Sequence, residues 1–210
     1  MEYVQKLSQT HDLPVAIVQV SSSVNQKEMT KALDMCEALG TTTITINAPT
    51  MFNYKSYSYL TDVLPRLRED YPHIRFSIIN PEDASLFALP IPQYRFSNLA
   101  EIVKKQRCYL ALDVSNMNST TLEDDMMRKL KDFVPYLSTV YISDKSRTGV
   151  SHLIPGEGVL KLNSLLEKLQ SNGYSRYFSS KITFSKSDLS DGEKILALLK
   201  EVRKFYDSIA

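Results

Sequence analysis

Between Leu137 and Leu169 the chain runs from an apolar stretch through a polar loop into a helix-spaced pattern. The loop, 144–158, carries Asp144, Arg147, His152 and Glu157. Two acids, a guanidinium and an imidazole within fifteen residues are the types from which sites are built. A polar loop at the C-terminal end of a strand is where α/β proteins keep theirs. The stretch reads equally as a solvated βα loop closed by the turn Pro155-Gly156-Glu157-Gly158, since loops are polar as a rule. Asp144 is suited to capping the loop through local backbone hydrogen bonds, or to holding Arg147. Glu157, between two glycines, reads as a turn residue rather than an acid catalyst. Tyr54, Tyr57 and Tyr59 could line a pocket, but a packed helix start explains them more simply.

The elements that must carry these groups follow from hydrophobic pattern. LPVAIVQV (13–20) is a continuous apolar run, as expected of a strand buried on both faces. TTTITINAP (41–49), IRFSIINP (74–81), CYLALDVSN (108–116), LSTVYIS (137–143) and YFSSKITF (177–184) are the other predicted strands. Helices are predicted at 2–11, 27–39, 55–69, 97–106, 122–134, 159–171 and 192–207. The second has Met29, Ala32, Leu33, Cys36 and Leu39 on one face, Asn25 as N-cap and Gly40 as terminator. Pro65 implies a kink or a late start in the third. Glu123, Asp124 and Asp125 open the fifth, where the macrodipole favours acids. Asp191 caps the last, whose Ile195, Leu198, Leu199, Val202 and Phe205 form one stripe. Residues 82–96, rich in proline, read as a long loop. Six strands alternating with helices mean parallel pairing and right-handed crossovers, in a doubly wound sheet or a barrel. No Gly-x-Gly-x-x-Gly follows the first strand, and there is no P-loop and no Gly-x-Ser-x-Gly elbow.

The totals exclude several classes. The 210 residues carry 25 basic and 24 acidic side chains, net +1, so no global field points to nucleic acid or a membrane surface. A single domain over 1–210 is expected. No run approaches a membrane span, and the polar N-terminal residues do not suit a signal peptide. The two cysteines, Cys36 and Cys108, are expected to be free buried thiols in a reducing cytoplasm.

Four segments together resemble the xylose-isomerase-like TIM barrels, the superfamily of sugar epimerases, sugar-phosphate isomerases and apurinic-site endonucleases. LALDVSNMN (110–118) is similar to the sixth-strand segment of those barrels, which ends Leu-Asp-Thr-Gly-His. VYISDKSRTGVSHLIPGEGVLKL (140–162) resembles the next, a strand ending His-x-x-x-Asp followed by Arg and Pro-Gly-x-Gly. NGYSRYFSSKI (172–182) resembles the last strand, and ALGTTTITINAP (38–49) the fourth. The resemblance implies an α/β, TIM-barrel-like fold with about six recognisable strands, the third through eighth of a barrel, and without the first two βα units. A full barrel takes about 250 residues. The open apolar edges then need cover, from the N-terminal segment or from a second subunit in a homodimer.

The resemblance also implies a metal held by four groups, and here the chain departs from it. The fifth-strand Glu falls at Ile79, with Asn80 beside it. The sixth-strand Asp matches Asp113, and a nearby His falls at Asn116. The seventh-strand His falls at Tyr141 and the eighth-strand Glu at Lys181. One ligand of four remains, so no cofactor is expected beyond a weak divalent cation (Mn²⁺, Mg²⁺ or Zn²⁺) at Asp113. Lys181 would face Asp113 and neutralise it, as a substrate-binding pair, as a base or Schiff-base former, or as a structural ion pair. Arg147 stands where relatives place an Arg that touches substrate, and its fork suits an anionic oxygen. His152 matches a loop His that is a metal ligand in the endonuclease branch, although a lone loop His is more often solvated. The expectation is therefore a divergent sugar or sugar-phosphate isomerase/epimerase-like barrel, with Asp113 and Lys181 as its catalytic candidates and Arg147, Asn80, Asn116, Tyr141 and His152 as candidates for substrate binding. Its rival is a non-catalytic scaffold or regulatory protein on the same barrel. An endonuclease is the weakest reading, because the chain has only His11, His73 and His152.

Overall fold

The computed structural model describes residues 2–20, 24–50, 54–82, 96–185 and 190–208. Residues 83–95 of the proline-rich loop, and 51–53 ahead of Tyr54, lie outside the described residues. The chain divides into two compact units, Met1–Ala111 and Leu112–Ala210.

The first unit contains α1 (Glu2–His11), β1 (Val18–Gln19), α2 (Gln26–Leu39), β2 (Thr43–Asn47), α3 (Tyr54–Ser58), α4 (Leu64–Asp70), β3 (Arg75–Ile79) and α5 (Phe96–Gln106), and ends within β4 (Tyr109–Asp113). Its strands pair in parallel, with Ile44 opposite Val18 and Phe76, and Ile78 opposite Leu110. The caps of α2 form as their residue types predict: the Asn25 side chain accepts from the Glu28 amide, and Gly40 takes the left-handed conformation at φ 66°. Pro65 takes the late-start alternative. A π-helical turn, Tyr59–Val63, ends where α4 begins, and Pro65 falls in the first turn of α4, where its missing N–H costs nothing. The expected first strand is cut short. Only Val18–Gln19 forms a paired strand, with the Val20 amide donating to the Thr45 carbonyl beyond it, and Leu13 is 66% exposed. β1 is the edge of the sheet with a single partner, so most of the apolar run has no second strand to bury it.

The second unit contains α6 (Met127–Phe133), β5 (Leu137–Ile142), β6 (Asp144–Lys145), β7 (Ser151–Leu153), α7 (Leu162–Ser171), β8 (Tyr177–Ser180) and α8 (Gly192–Asp207). β5 is buried along its whole length and pairs in parallel with β8, Tyr141 opposite Ser179. Leu122, Met126, Leu130, Phe133, Val140, Leu165 and Leu169 form the buried core here. The loop expected over 144–158 contains a small antiparallel hairpin, β6 against β7.

The six long-range strands follow one another in the sheet as β1-β2-β3-β4-β5-β8. A doubly wound sheet reverses strand order at a switch point, and this order has no reversal. It is the sequential order of a (β/α) barrel, incomplete among the described residues, where β1 and β8 each have one neighbour. No described helix is long and apolar enough to cross a membrane. Cys36 and Cys108 are free and buried, and burial pushes their thiols up to about 11 and about 12, which makes both unreactive.

Candidate functional site

β4 ends at Asp113, and a 3₁₀ turn, Val114–Asn116, follows at once. The Asp113 side chain is fully buried, and both its oxygens are engaged. Ser115 Oγ donates to Oδ1 at 3.0 Å, while Lys181 Nζ donates to Oδ2 at 2.6 Å and His152 Nε2 lies 3.2 Å from the same oxygen. Lys181 comes directly after β8, and its amide extends the ladder by donating to the Ile142 carbonyl at 3.3 Å. Its ammonium sits 5.3 Å from the centroid of the buried Tyr141 ring, within cation–π range. Burial by itself pushes the Asp113 carboxyl up. The hydrogen bond to His152 and the charge and hydrogen bond of Lys181 outweigh that push and hold it below the usual carboxylate range.

His152 reaches Asp113 because its backbone is left-handed, at φ 63°. That conformation is uncommon outside glycine, although His adopts it more readily than most residues. Two bonds hold the strand around it. Thr183 N donates to the His152 carbonyl at 2.9 Å, and Ser151 Oγ donates to the Ser115 carbonyl at 3.0 Å.

The loop beneath is organised by Asp144. Its Oδ1 accepts the amides of Lys145 (2.8 Å) and Leu160 (3.0 Å), and its Oδ2 those of Gly156 and Gly158 (both 3.0 Å). A carboxylate enclosed by four amides is a clamp on the chain, and the two glycines of Pro-Gly-Glu-Gly each have a reason to be there. Gly156 is left-handed at φ 96°. At Gly158 a Cβ would run into the Asp144 carboxylate and the Lys145 carbonyl. Gly158→Ala is therefore expected to destabilise the chain by about 1–3 kcal/mol, as overpacking does, whereas Gly173→Ala meets no atom and pays only for its positive φ. Urea melts of the two variants check the ranking.

The structure thus brings together Asp113, Lys181, His152 and, through the lysine, Tyr141. Asn116 is half-buried at the end of the 3₁₀ turn. Arg147 is exposed in the hairpin turn and forms no ion pair with a described residue. Asn80 is buried in the first unit, just after β3, where its amide donates to the Ala111 carbonyl. Ser115 and Ser151 were not singled out by residue type. The only local signal was a hydroxyl two residues beyond Asp113.

Strand order defines the architecture as an incomplete (β/α) barrel, and solved structures share that fold. A xylose isomerase domain protein from Alicyclobacillus acidocaldarius subsp. acidocaldarius superposes with a TM-score of 0.67 at 18% identity, over 99% of this chain and 81% of that one. D-allulose 3-epimerase from Methylomonas sp., in complex with D-allulose, gives 0.69 at 13%, over 100% and 81%. The IolI protein with a bound zinc atom gives 0.70 at 16%, over 99% and 84%. At such identities the likeness shows the fold. No protein-family model matches the chain, and no curated protein matches it in sequence.

The described residues around Asp113 offer a divalent metal few donors. One carboxylate and one imidazole are present, and an ammonium already lies on the oxygen a metal would use. Among the described residues no group of three or more His, Cys, Asp or Glu could hold a metal ion. A hard or borderline cation needs several such donors in fixed geometry.

Proposed function

We propose that this chain binds a neutral carbohydrate at the Asp113–Lys181–His152 cluster without a divalent metal, and that Asp113 does not act there as a proton-abstracting base. The observation that carries this reading is the buried Asp113 carboxylate bonded at one oxygen by both Lys181 and His152. An epimerase or isomerase that moves a proton beside a carbonyl needs a base whose affinity for that proton is high enough. Asp113, held below the usual carboxylate range, is a weak base.

The cluster is nevertheless chemically able to bind. The side chains of Lys181 and His152 are 29% and 24% exposed. An ammonium has three donors and an imidazole two nitrogens, so sugar hydroxyls can reach groups that Asp113 holds in place. The barrel mouth, at the C-terminal ends of the strands, is where this architecture binds ligands. Carbohydrate as the class is supported by solved structures of the same fold, among them an epimerase holding D-allulose. The same saturation of Asp113 also favours the rival, a scaffold or regulatory protein that binds no sugar.

Calorimetry and thermal melting against D-allulose, D-tagatose and D-glucose, with EDTA and separately with Mn²⁺, separate the readings. A sugar at about a hundredfold excess over its Kd should stabilise the chain by about 2.7 kcal/mol, equally with and without EDTA. The Asp113→Asn/Lys181→Met double variant should lose the effect. Stabilisation that requires Mn²⁺ would overturn the metal-free reading. No response to any sugar would leave the scaffold.

A further inference from the structure

A polar cavity lies in the first unit, at the N-terminal ends of β3 and β4. It has a volume of about 490 Å³ and is lined by Arg68, Arg75 and Arg107, with His73 and Tyr109 beside them. Among the described residues no carboxylate lines it. Three arginines line one small cavity, their like charges repel one another, and in a chain of net charge +1 the concentration is local. Arg68 has a structural reason to be there: its Nη1 donates to the Gln106 carbonyl at 2.8 Å, at the end of α5, where the macrodipole favours a cation. That reason does not extend to the other two. Arg75 is the exposed first residue of β3, and Arg107 is exposed and left-handed at φ 47°. None of the three forms an ion pair with a described residue.

We infer that this cavity is an anion site for the phosphoryl group of a small phosphorylated molecule. Each guanidinium presents a rigid fork of N–H donors that matches phosphate oxygens two at a time. A dianion bound there relieves the repulsion among the three arginines. The dimensions are those of a small-molecule pocket. A nucleic acid would need a basic stripe running along a surface, and here the three arginines line a single cavity. The inference stands on the arginine cavity alone and does not depend on the carbohydrate reading.

Titration calorimetry with inorganic phosphate at fixed ionic strength tests it. Two variants remove one guanidinium each and leave Arg68 on its carbonyl: Arg75→Gln, at an exposed position, and Arg107→Gly, which suits the left-handed backbone. Wild type is expected to bind one phosphate, and each variant about tenfold more weakly, the ratio for losing one charge-assisted hydrogen bond. Circular dichroism melts establish that both variants are folded. No heat up to about 10 mM phosphate, a limit weaker than about −3 kcal/mol of binding, overturns the inference. So does equal binding by wild type and both variants, or binding of an acidic peptide where phosphate gives none.

Discussion

Asp144→Ala is expected to cost about 3–5 kcal/mol, a large part of the stability of a domain this size. The carboxylate is 1% exposed and accepts four backbone amides from three points of the loop, at Lys145, at Gly156 and Gly158, and at Leu160. Each charged hydrogen bond of this kind contributes about 1.5–3 kcal/mol, and donors left bare inside the protein cost more than the bond they lose. The four do not add fully, because Gly156 is exposed and its amide regains water once the loop opens. Asn in place of Asp should fall between the two, since an amide keeps one acceptor oxygen and turns a donor toward the remaining N–H groups. Urea melts give the magnitude. Hydrogen exchange gives the location: the amides of Lys145, Gly156, Gly158 and Leu160 should lose protection together. A loss below about 1 kcal/mol, with those amides still protected, would mean that the loop is held by other contacts.

Lys181→Met is expected to cost about 2–4 kcal/mol at neutral pH, somewhat less than breaking a wholly buried pair because the lysine is 29% exposed. The penalty is that of a buried carboxylate left without its main cation. Its pH dependence has a definite sign. In the native chain the Asp113 carboxyl is held below its ordinary value. Its contribution is complete above about pH 4, the unfolded value, and fades only as the pH falls through the lower folded one. In the variant, burial is opposed by fewer partners, the carboxyl rises, and protonation relieves the strain as the pH falls. The gap between the two proteins should be widest near pH 7 and narrow toward about pH 4. Adding Asp113→Asn to the variant should recover much of the loss at pH 7. A gap that is constant in pH, or absent, would show that the 2.6 Å pair contributes nothing to stability.

Much of this fold is legible in local chemistry. The stripe and the capping Asp191 place the last helix at 192–207, and α8 runs over Gly192–Asp207 with Asp191 accepting from the Lys194 amide. Asn25 and Gly40 bound α2 for similar reasons. The apolar run 13–20 misleads because composition reports what a segment would bury, not whether a neighbour exists to bury it. β1 has one partner strand, and only two of its residues pair. Pro65 signals a discontinuity, but whether the chain meets it with a kink or with a π turn depends on what packs around Tyr59–Val63.

By itself the sequence determined the alternation of strands and helices, hence parallel pairing, and the tight turn at Pro155-Gly156, where the Glu157 amide donates to the Ile154 carbonyl. These depend on periodicity and on bonds between residues a few positions apart, so they can be read from neighbours. Tertiary structure alone decided which charges meet. Lys181 and Asp113 are 68 positions apart, and His152 and Asp113 are 39 apart. Nothing in residue type told His152 from a solvated loop histidine until a left-handed backbone turned its ring onto the carboxylate. Electrostatic partnership falls off with distance in space and is blind to distance along the chain. The same site chemistry therefore becomes visible only once β4, the β6–β7 hairpin and the end of β8 are brought side by side.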